Sequence, residues 1–362
     1  MVSSLYVHIP FCAHICRYCD FAKVFYRDDW AFSYLQEIKK EIAELRISHP
    51  LKTIYVGGGT PTCLSESMLD DLLSFLRPYL EEDGEFSVEA NPETITPEKL
   101  GILCKNKVNR LSLGIQSSLP KYLSLMGRKH TFEEAKEAIF LAKKAGFSNL
   151  SVDLIYGLPG QNLSELDSDI SAFLALDLPH LSAYSLTVNP GTEFYAKGFQ
   201  EAEDELAGAM YERILFRLRK AGYERYEVSN FAKNGHYCRH NLTYWKDEEY
   251  YAAGLGASGY LGKKRYMNTR NLSTYLKGKH RSEEENLTLE SELEDFFLTN
   301  LRLASGFAEK TFEKRFGFSF FSRYQNQFET LHKMGLLEQK EGCIRATDRG
   351  ILLLDRILIN LF

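Results

Sequence analysis

The chain has 362 residues, is 44% hydrophobic and 26% charged, and carries a formal net charge of −5, enough apolar material for one large core or two domains. A mildly acidic balance without a basic stripe excludes a general nucleic-acid binder, and no apolar run approaches the roughly 20 residues that cross a bilayer. No secretory signal pattern precedes the first apolar run, so a cytoplasmic location is expected and a disulfide knot is not.

The first apolar run, Leu5–Pro10, leads into Cys12-Ala13-His14-Ile15-Cys16-Arg17-Tyr18-Cys19. This C-x3-C-x2-C spacing lets three thiolates converge on one object from a single loop, and thiolates suit zinc or an iron–sulfur cluster. Zinc in a structural site asks for a fourth ligand and a closed tetrahedral shell. His14 could be offered, but no second ligand pair lies nearby. A 4Fe-4S cluster held by three cysteines instead leaves one iron open to a small chelating ligand. Three unrelated buried cysteines are the bland alternative, and the tight clustering argues against it.

Beyond the loop, short apolar runs alternate with amphipathic stretches. Strands are predicted over Leu5–Ile9, Thr53–Val56, Phe86–Glu89, Arg110–Ile115, Leu150–Ile155 and Leu181–Leu186. Trp30, Tyr34, Ile38, Ile42 and Leu45 recur at helical spacing, as do apolar positions in Glu66–Leu76 and Glu133–Lys144. Repeated strand–helix units imply an α/β protein with a parallel sheet and right-handed crossovers. In such folds the site lies at the strand C-termini.

Those ends carry distinctive residues. The second strand runs into Val56-Gly57-Gly58-Gly59-Thr60-Pro61-Thr62, which matches neither a P-loop nor G-x-G-x-x-G and could be a plain tight turn. The third ends at Glu89-Ala90-Asn91-Pro92, the fourth at Gly114-Ile115-Gln116-Ser117, with Met126-Gly127-Arg128 on a following loop. Asp153 sits among apolar residues, where an unpaired carboxylate is costly. It is either functional or paired with a barrel lysine or arginine.

Farther on, Tyr237-Cys238-Arg239-His240-Asn241-Leu242-Thr243-Tyr244-Trp245 sets a histidine beside aromatic residues, either packed and hydrogen-bonded or offered as a haem ligand. Gly254–Gly259 reads as a flexible or close-packed loop. Ser282–Asn286 reads as a charged linker, after which helical spacing resumes at Leu293, Phe296, Phe297 and Leu301, then at Phe328, Leu331 and Met334. A turn and strand at Gly335–Glu338, a returning strand at Cys343–Arg345 and a helix Asp348–Leu361 capped by Thr347 complete a winged-helix-type module. Its small basic excess favours docking or covering a substrate over binding DNA.

C-x3-C-x2-C after a first strand resembles the radical S-adenosylmethionine (SAM) superfamily. The string Tyr6-Val7-His8-Ile9-Pro10-Phe11-Cys12 through Tyr18-Cys19-Asp20-Phe21 is similar to the oxygen-independent coproporphyrinogen III oxidase family, and H-N-x-x-Y-W at His240–Trp245 to its HemW-type haem chaperone branch. The resemblance implies a partial (β/α)6 barrel over residues 1–235, an extension over 236–285 and a mainly helical, winged-helix-like domain over 286–362. It implies a 4Fe-4S cluster on Cys12, Cys16 and Cys19. It also implies SAM contacts at Tyr6, Tyr18, Gly58, Gly59, Thr60, Glu89, Gln116, Arg128 and Asp153. Haem is the implied cargo, with His240 its candidate contact and His236 and Cys238 nearby alternatives.

The implied partners are a haem-accepting protein, a membrane-associated respiratory protein being one candidate, and an electron donor; no nucleic acid is implied. Two departures from the oxidase branch point away from coproporphyrinogen decarboxylation. Phe21 stands where that branch has a fourth cysteine, and the chain starts only a few residues before its first strand. The rival readings are a radical SAM enzyme of the same branch and, more remotely, a zinc-stabilised scaffold.

Overall fold

The computed structural model describes residues 1–362. All six expected strands form: β1 Ser4–Ile9, β2 Leu51–Gly58, β3 Leu80–Ala90, β4 Arg110–Gln116, β5 Asn149–Tyr156 and β6 His180–Ser185. They lie side by side in that order, each parallel to the next. Helices cover the sheet, which is why its strands read as near-continuous apolar runs; every residue of β4 is buried. Helix Asp28–Glu44 buries Tyr34, Leu35, Ile38 and Ile42, whereas Trp30 in its first turn is 36% exposed. Helices Glu66–Leu76 and Phe132–Lys144 begin where Ser65 and Thr131 accept bonds from the backbone N–H groups of Met68 and Glu134, as N-caps do.

The sheet is wider than the periodicity implied. Tyr251–Ala253 adds a strand parallel to β1, with Leu5 opposite Tyr251, and Asn230–Ala232 and Glu224–Arg225 close the other edge antiparallel. The two ends of this nine-stranded order are different strands, so the barrel is partial. Additions of two or three residues are too short to leave a period. The added strand beside β1 matters most, because it follows the segment around His240, which packs on Thr53 and Glu85 of the sheet.

Two expectations need correction. Ser282–Asn286 is no linker: it belongs to strand Arg281–Asn286, the edge of a three-stranded antiparallel sheet with Ser258–Leu261 and Lys264–Asn268. All six of its residues are exposed. With neither face buried the strand has no alternation to read, and its glutamates suit an unpaired edge. The final helix is broken as well. Thr347 does cap it, accepting from Gly350 N at 2.9 Å, but it stops at Ile351 and restarts at Leu354. Leu353 leaves the helical region at φ −128°, ψ 34°, and the second piece turns Ile357 and Leu361 into the core.

The loop after Tyr251–Ala253 is close-packed rather than flexible. Gly254 has φ +107°, and a Cβ there would lie 2.5 Å from the His8 carbonyl oxygen. The C-terminal region packs helices Leu289–Asn300, Glu309–Phe316 and Phe320–Lys333 around Phe296, Phe297 and Phe312, beside a small sheet that includes the expected hairpin Leu337–Lys340 and Cys343–Ala346.

Candidate functional site

Phe11–Cys12 pairs with Val24–Phe25, so the cysteine loop is tied at both ends beside the C-terminal ends of the parallel strands. There it walls a cavity of about 360 Å³. Cys12, Cys16 and Cys19 all line it, as does every SAM position carried by the resemblance except Tyr6. Asn91, whose side chain the sequence reading left without a role, joins two of the cysteines. Thr60 Oγ1 donates to Cys12 Sγ at 4.0 Å and accepts from Asn91 Nδ2 at 2.9 Å. Asn91 Oδ1 accepts from Arg128 Nη2 at 2.7 Å, and Arg128 Nη1 donates to Cys16 Sγ at 3.3 Å. Burial works against the Arg128 charge, but Tyr18, Cys16 and Glu93 hold its pKa above the usual range.

Acidic groups line the same cavity. Glu89 accepts from Tyr55 Oη at 2.7 Å and from Gly58 N at 2.9 Å, and burial still raises its pKa. Burial, then the neighbouring Glu89, pushes the Asp153 carboxyl up to about 6. Ser112 Oγ reaches Asp153 at 3.5 Å, while Arg110 and Arg128 act on it through space. The glycines of the second strand are explained by their neighbours. A Cβ on Gly57 would sit 2.8 Å from the Glu89 carboxyl, one on Gly59 2.9 Å from Cys12 Sγ, and one on Gly58, at φ +113°, 2.4 Å from the His8 ring. Their bareness lets β2 close on the cysteine and on His8.

The donor set fits a cluster with a chelating ligand. All seven cysteines are free. Burial pushes the Cys12 thiol up to about 12 and raises Cys19 as well, so binding iron would release their protons. No three His, Cys, Asp or Glu side chains surround a point as a single zinc ion requires, whereas a cubane takes each thiolate on a separate iron. Gln116 supplies the signature of a polar ligand. It holds φ +75°, uncommon for a residue with a side chain, and its Oε1 is buried without a partner, as is Arg128 Nε. Orphaned polar atoms in one cavity wall call for something to bond.

A second cavity, of about 450 Å³, adjoins the first and shares Asp20, Phe21, Glu89 and Tyr184 with it. Tyr6 lines this one, apart from the other proposed SAM positions. Its hydroxyl lies 3.0 Å from His8 Nδ1, and His8 Nε2 donates to the Ala22 carbonyl at 2.7 Å, tying β1 to the cysteine loop. Tyr55, Tyr244 and Tyr250 complete an aromatic wall.

His240 also lines this cavity but does not present a nitrogen to it. Thr53 Oγ1 donates to Ser4 Oγ at 2.8 Å and so accepts from His240 Nδ1–H at 2.8 Å. That leaves Nε2 as the lone pair, accepting from Tyr244 Oη–H at 2.7 Å. The ring is fully buried, and burial lowers its pKa to about 3, keeping it neutral. As a haem ligand His240 is therefore covered, and Tyr244 must move for Nε2 to be reached. The two alternatives, His236 and Cys238, line neither cavity. Tyr244 and Trp245 also part company: the guanidinium of Arg302 lies over the Trp245 ring at 4.9 Å, and Trp245 is absent from the cavity wall. Glu85 of β3 holds the helix bearing these residues, accepting from Arg239 N at 2.9 Å and His240 N at 3.0 Å.

Residues 6–172 match the Radical SAM superfamily, and residues 287–353 match the HemN C-terminal domain. A Lactococcus lactis protein named heme chaperone HemW is 41% identical over 96% of this chain and 94% of its own length. The chain belongs to the HemW family. A Bacillus subtilis HemW is 38% identical, covering 97% of both chains, and that of Escherichia coli is 34% identical over 83% of this chain and 82% of its own. Coproporphyrinogen III oxidase (HemN) from Escherichia coli, described as a radical SAM enzyme, shares the fold. It covers 99% of this chain and 90% of its own at TM-score 0.85 and 23% identity. In this HemW-family chain the matched superfamily segment contains all the residues that wall the cysteine cavity up to Ile155. The aromatic cavity draws on the later segment that holds His240 and Arg270.

Proposed function

We propose that this chain is a haem chaperone that carries a 4Fe-4S cluster on Cys12, Cys16 and Cys19, binds SAM beside it, and delivers haem to an acceptor protein. The observation that carries the reading is adjacency. A thiol-walled cavity with orphaned polar atoms shares Asp20, Phe21, Glu89 and Tyr184 with an aromatic cavity of about 450 Å³. Curated relatives bearing the haem chaperone name align over nearly the whole chain. A cytoplasmic setting agrees with this, and no helix is long and apolar enough to cross a membrane. The stretch 236–285 would be the part that adds cargo handling to the barrel.

Bound together, the cluster and SAM supply one-electron chemistry. The chain's own part is positional. Thr60 and Arg128 brace the thiols of Cys12 and Cys16, with Asn91 linking the two, Gln116 and Asp153 offer acceptors, and Glu89 holds Gly58 and Tyr55 in line. Phe21 is 61% exposed on the wall between the cavities, an apolar ring where the oxidase pattern has a fourth cysteine. That favours cargo contact over coproporphyrinogen turnover. Anaerobic reconstitution with iron and sulfide analysis, followed by haem titration and transfer to a haem-requiring apoprotein, tests the reading. A protein that takes up the cluster but neither binds nor passes on haem would refute it.

A further inference from the structure

The aromatic cavity has one cation in its wall. Among its lining residues Arg270 is the only lysine or arginine, and the two histidines there are kept neutral by burial, His8 lowered to about 4 and His240 to about 3. Of the two carboxylates in the wall, Glu89 is already engaged by Tyr55 and Gly58. Asp20 turns its carboxylate to Asn189 Nδ2 at 2.8 Å. The cavity is thus aromatic-walled but part polar, with a single cation among its lining residues.

Arg270 is held in place without being used up. It follows strand Lys264–Asn268, and the preceding residue, Thr269, is fixed by two backbone bonds: its carbonyl accepts from Gly256 N at 2.9 Å and its N–H donates to the His280 carbonyl at 2.7 Å. Gly256, at φ +67°, lets this turn close on Ala22, since a Cβ there would be 2.6 Å from Ala22 Cβ, and it leaves the Arg270 stem in ordinary contact. The guanidinium donates to the Asp20 carbonyl and forms no ion pair. A guanidinium has five N–H donors in a planar fork suited to carboxylates, so most of its donors remain free.

Resting on the haem-chaperone reading, we infer that Arg270 is the carboxylate anchor of the cargo: the porphyrin ring lies against Tyr6, Tyr55, Tyr244 and Tyr250, with one propionate on the Arg270 guanidinium. A cavity of about 450 Å³ falls within the range of roughly 300–1,000 Å³ typical of ligand pockets. The second propionate finds no cation in this wall and faces solvent.

The test uses the full chain and two probes, hemin and its dimethyl ester, in which both carboxylates are masked. Arg270→Met keeps the aliphatic stem and removes the charge. Hemin affinity should fall roughly 10- to 100-fold in Arg270→Met, the worth of a hydrogen bond to a charged group, and Arg270→Lys should recover part of it. The ester should bind wild type and Arg270→Met alike, and more weakly than hemin binds wild type. Equal hemin affinity in wild type and Arg270→Met, or equal binding of hemin and ester by wild type, would overturn the assignment while leaving the haem-chaperone reading intact. Failure of wild type to bind hemin would sink both.

Discussion

His240 offers the sharpest test, because its ligand nitrogen is present but covered. Replacing Tyr244 with Phe keeps the aromatic wall and removes only the hydroxyl that caps His240 Nε2 at 2.7 Å. A neutral hydrogen bond of this kind contributes a net ~0.5–1.5 kcal/mol. If iron must displace it, its removal should tighten haem binding roughly two- to tenfold. The uncapped lone pair would be buried and unsatisfied in the apo protein, so the same variant should lose about 1–2 kcal/mol of stability, recovered when haem binds. Titration followed by the Soret band, with urea melts of apo and loaded protein, reads both effects. His240→Ala supplies the control, since it should abolish the ligand-dependent Soret shift. Weaker haem binding in Tyr244→Phe, or an unchanged Soret shift in His240→Ala, would remove His240 from the iron and leave Tyr244 a purely structural cap.

Three further outcomes follow from the site and its supports. Cys16→Ala should abolish the broad thiolate-to-iron absorption after anaerobic reconstitution, whereas Cys63→Ala should retain it, because Cys63 Sγ turns to the Phe11 carbonyl at 3.2 Å; a need for Cys63 would break the three-cysteine assignment. The Asp153 carboxyl, raised from 3.8 to about 6 by burial and then by Glu89, favours the folded state at low pH and loses that advantage as pH rises from about 4 through 6. Asp153→Asn should therefore stabilise the apo protein by about 3 kcal/mol at pH 7.5 and by less at pH 5, while weakening SAM binding measured by calorimetry; a pH-independent effect on stability would contradict the sign. Asp247 is 2% exposed in its side chain and bonded to Arg315 at 2.6 Å and Arg265 at 3.0 Å. Arg315→Met leaves that buried carboxylate half paired, and a loss of roughly 3 kcal/mol in urea unfolding is expected.

Much of the barrel was legible because parallel strands buried on both faces leave apolar runs, and because polar residues at their C-terminal ends stand out from those runs. Gln116 and Asp153 stood out for that reason, and with Arg128 from the loop after Met126 they line the cavity of the cysteine loop. Tyr6 departs from them. In β1, successive side chains alternate in direction, and its hydroxyl goes to His8 in the neighbouring cavity. The charged strand at Arg281–Asn286 escaped notice because neither of its faces is buried.

The aromatic cavity was hidden for a different reason. Its wall is assembled from β1, β2, the His240 helix and the turn after Asn268, residues far apart in the chain with no shared period. Arg270 had no motif around it at all, and only the fold sets it beside Tyr6 and His240. His240, by contrast, was visible as a motif residue while its tautomer was not, since that depends on Thr53 of a distant strand.

The most direct test of the central claim is one anaerobic experiment with reconstituted protein, SAM and a reductant, offered haem or coproporphyrinogen III in parallel. Haem should bind with a shifted Soret band and move to a haem-requiring apoprotein, and coproporphyrinogen III should be recovered unchanged. Formation of vinyl groups on coproporphyrinogen III, with no measurable haem binding, would contradict the account.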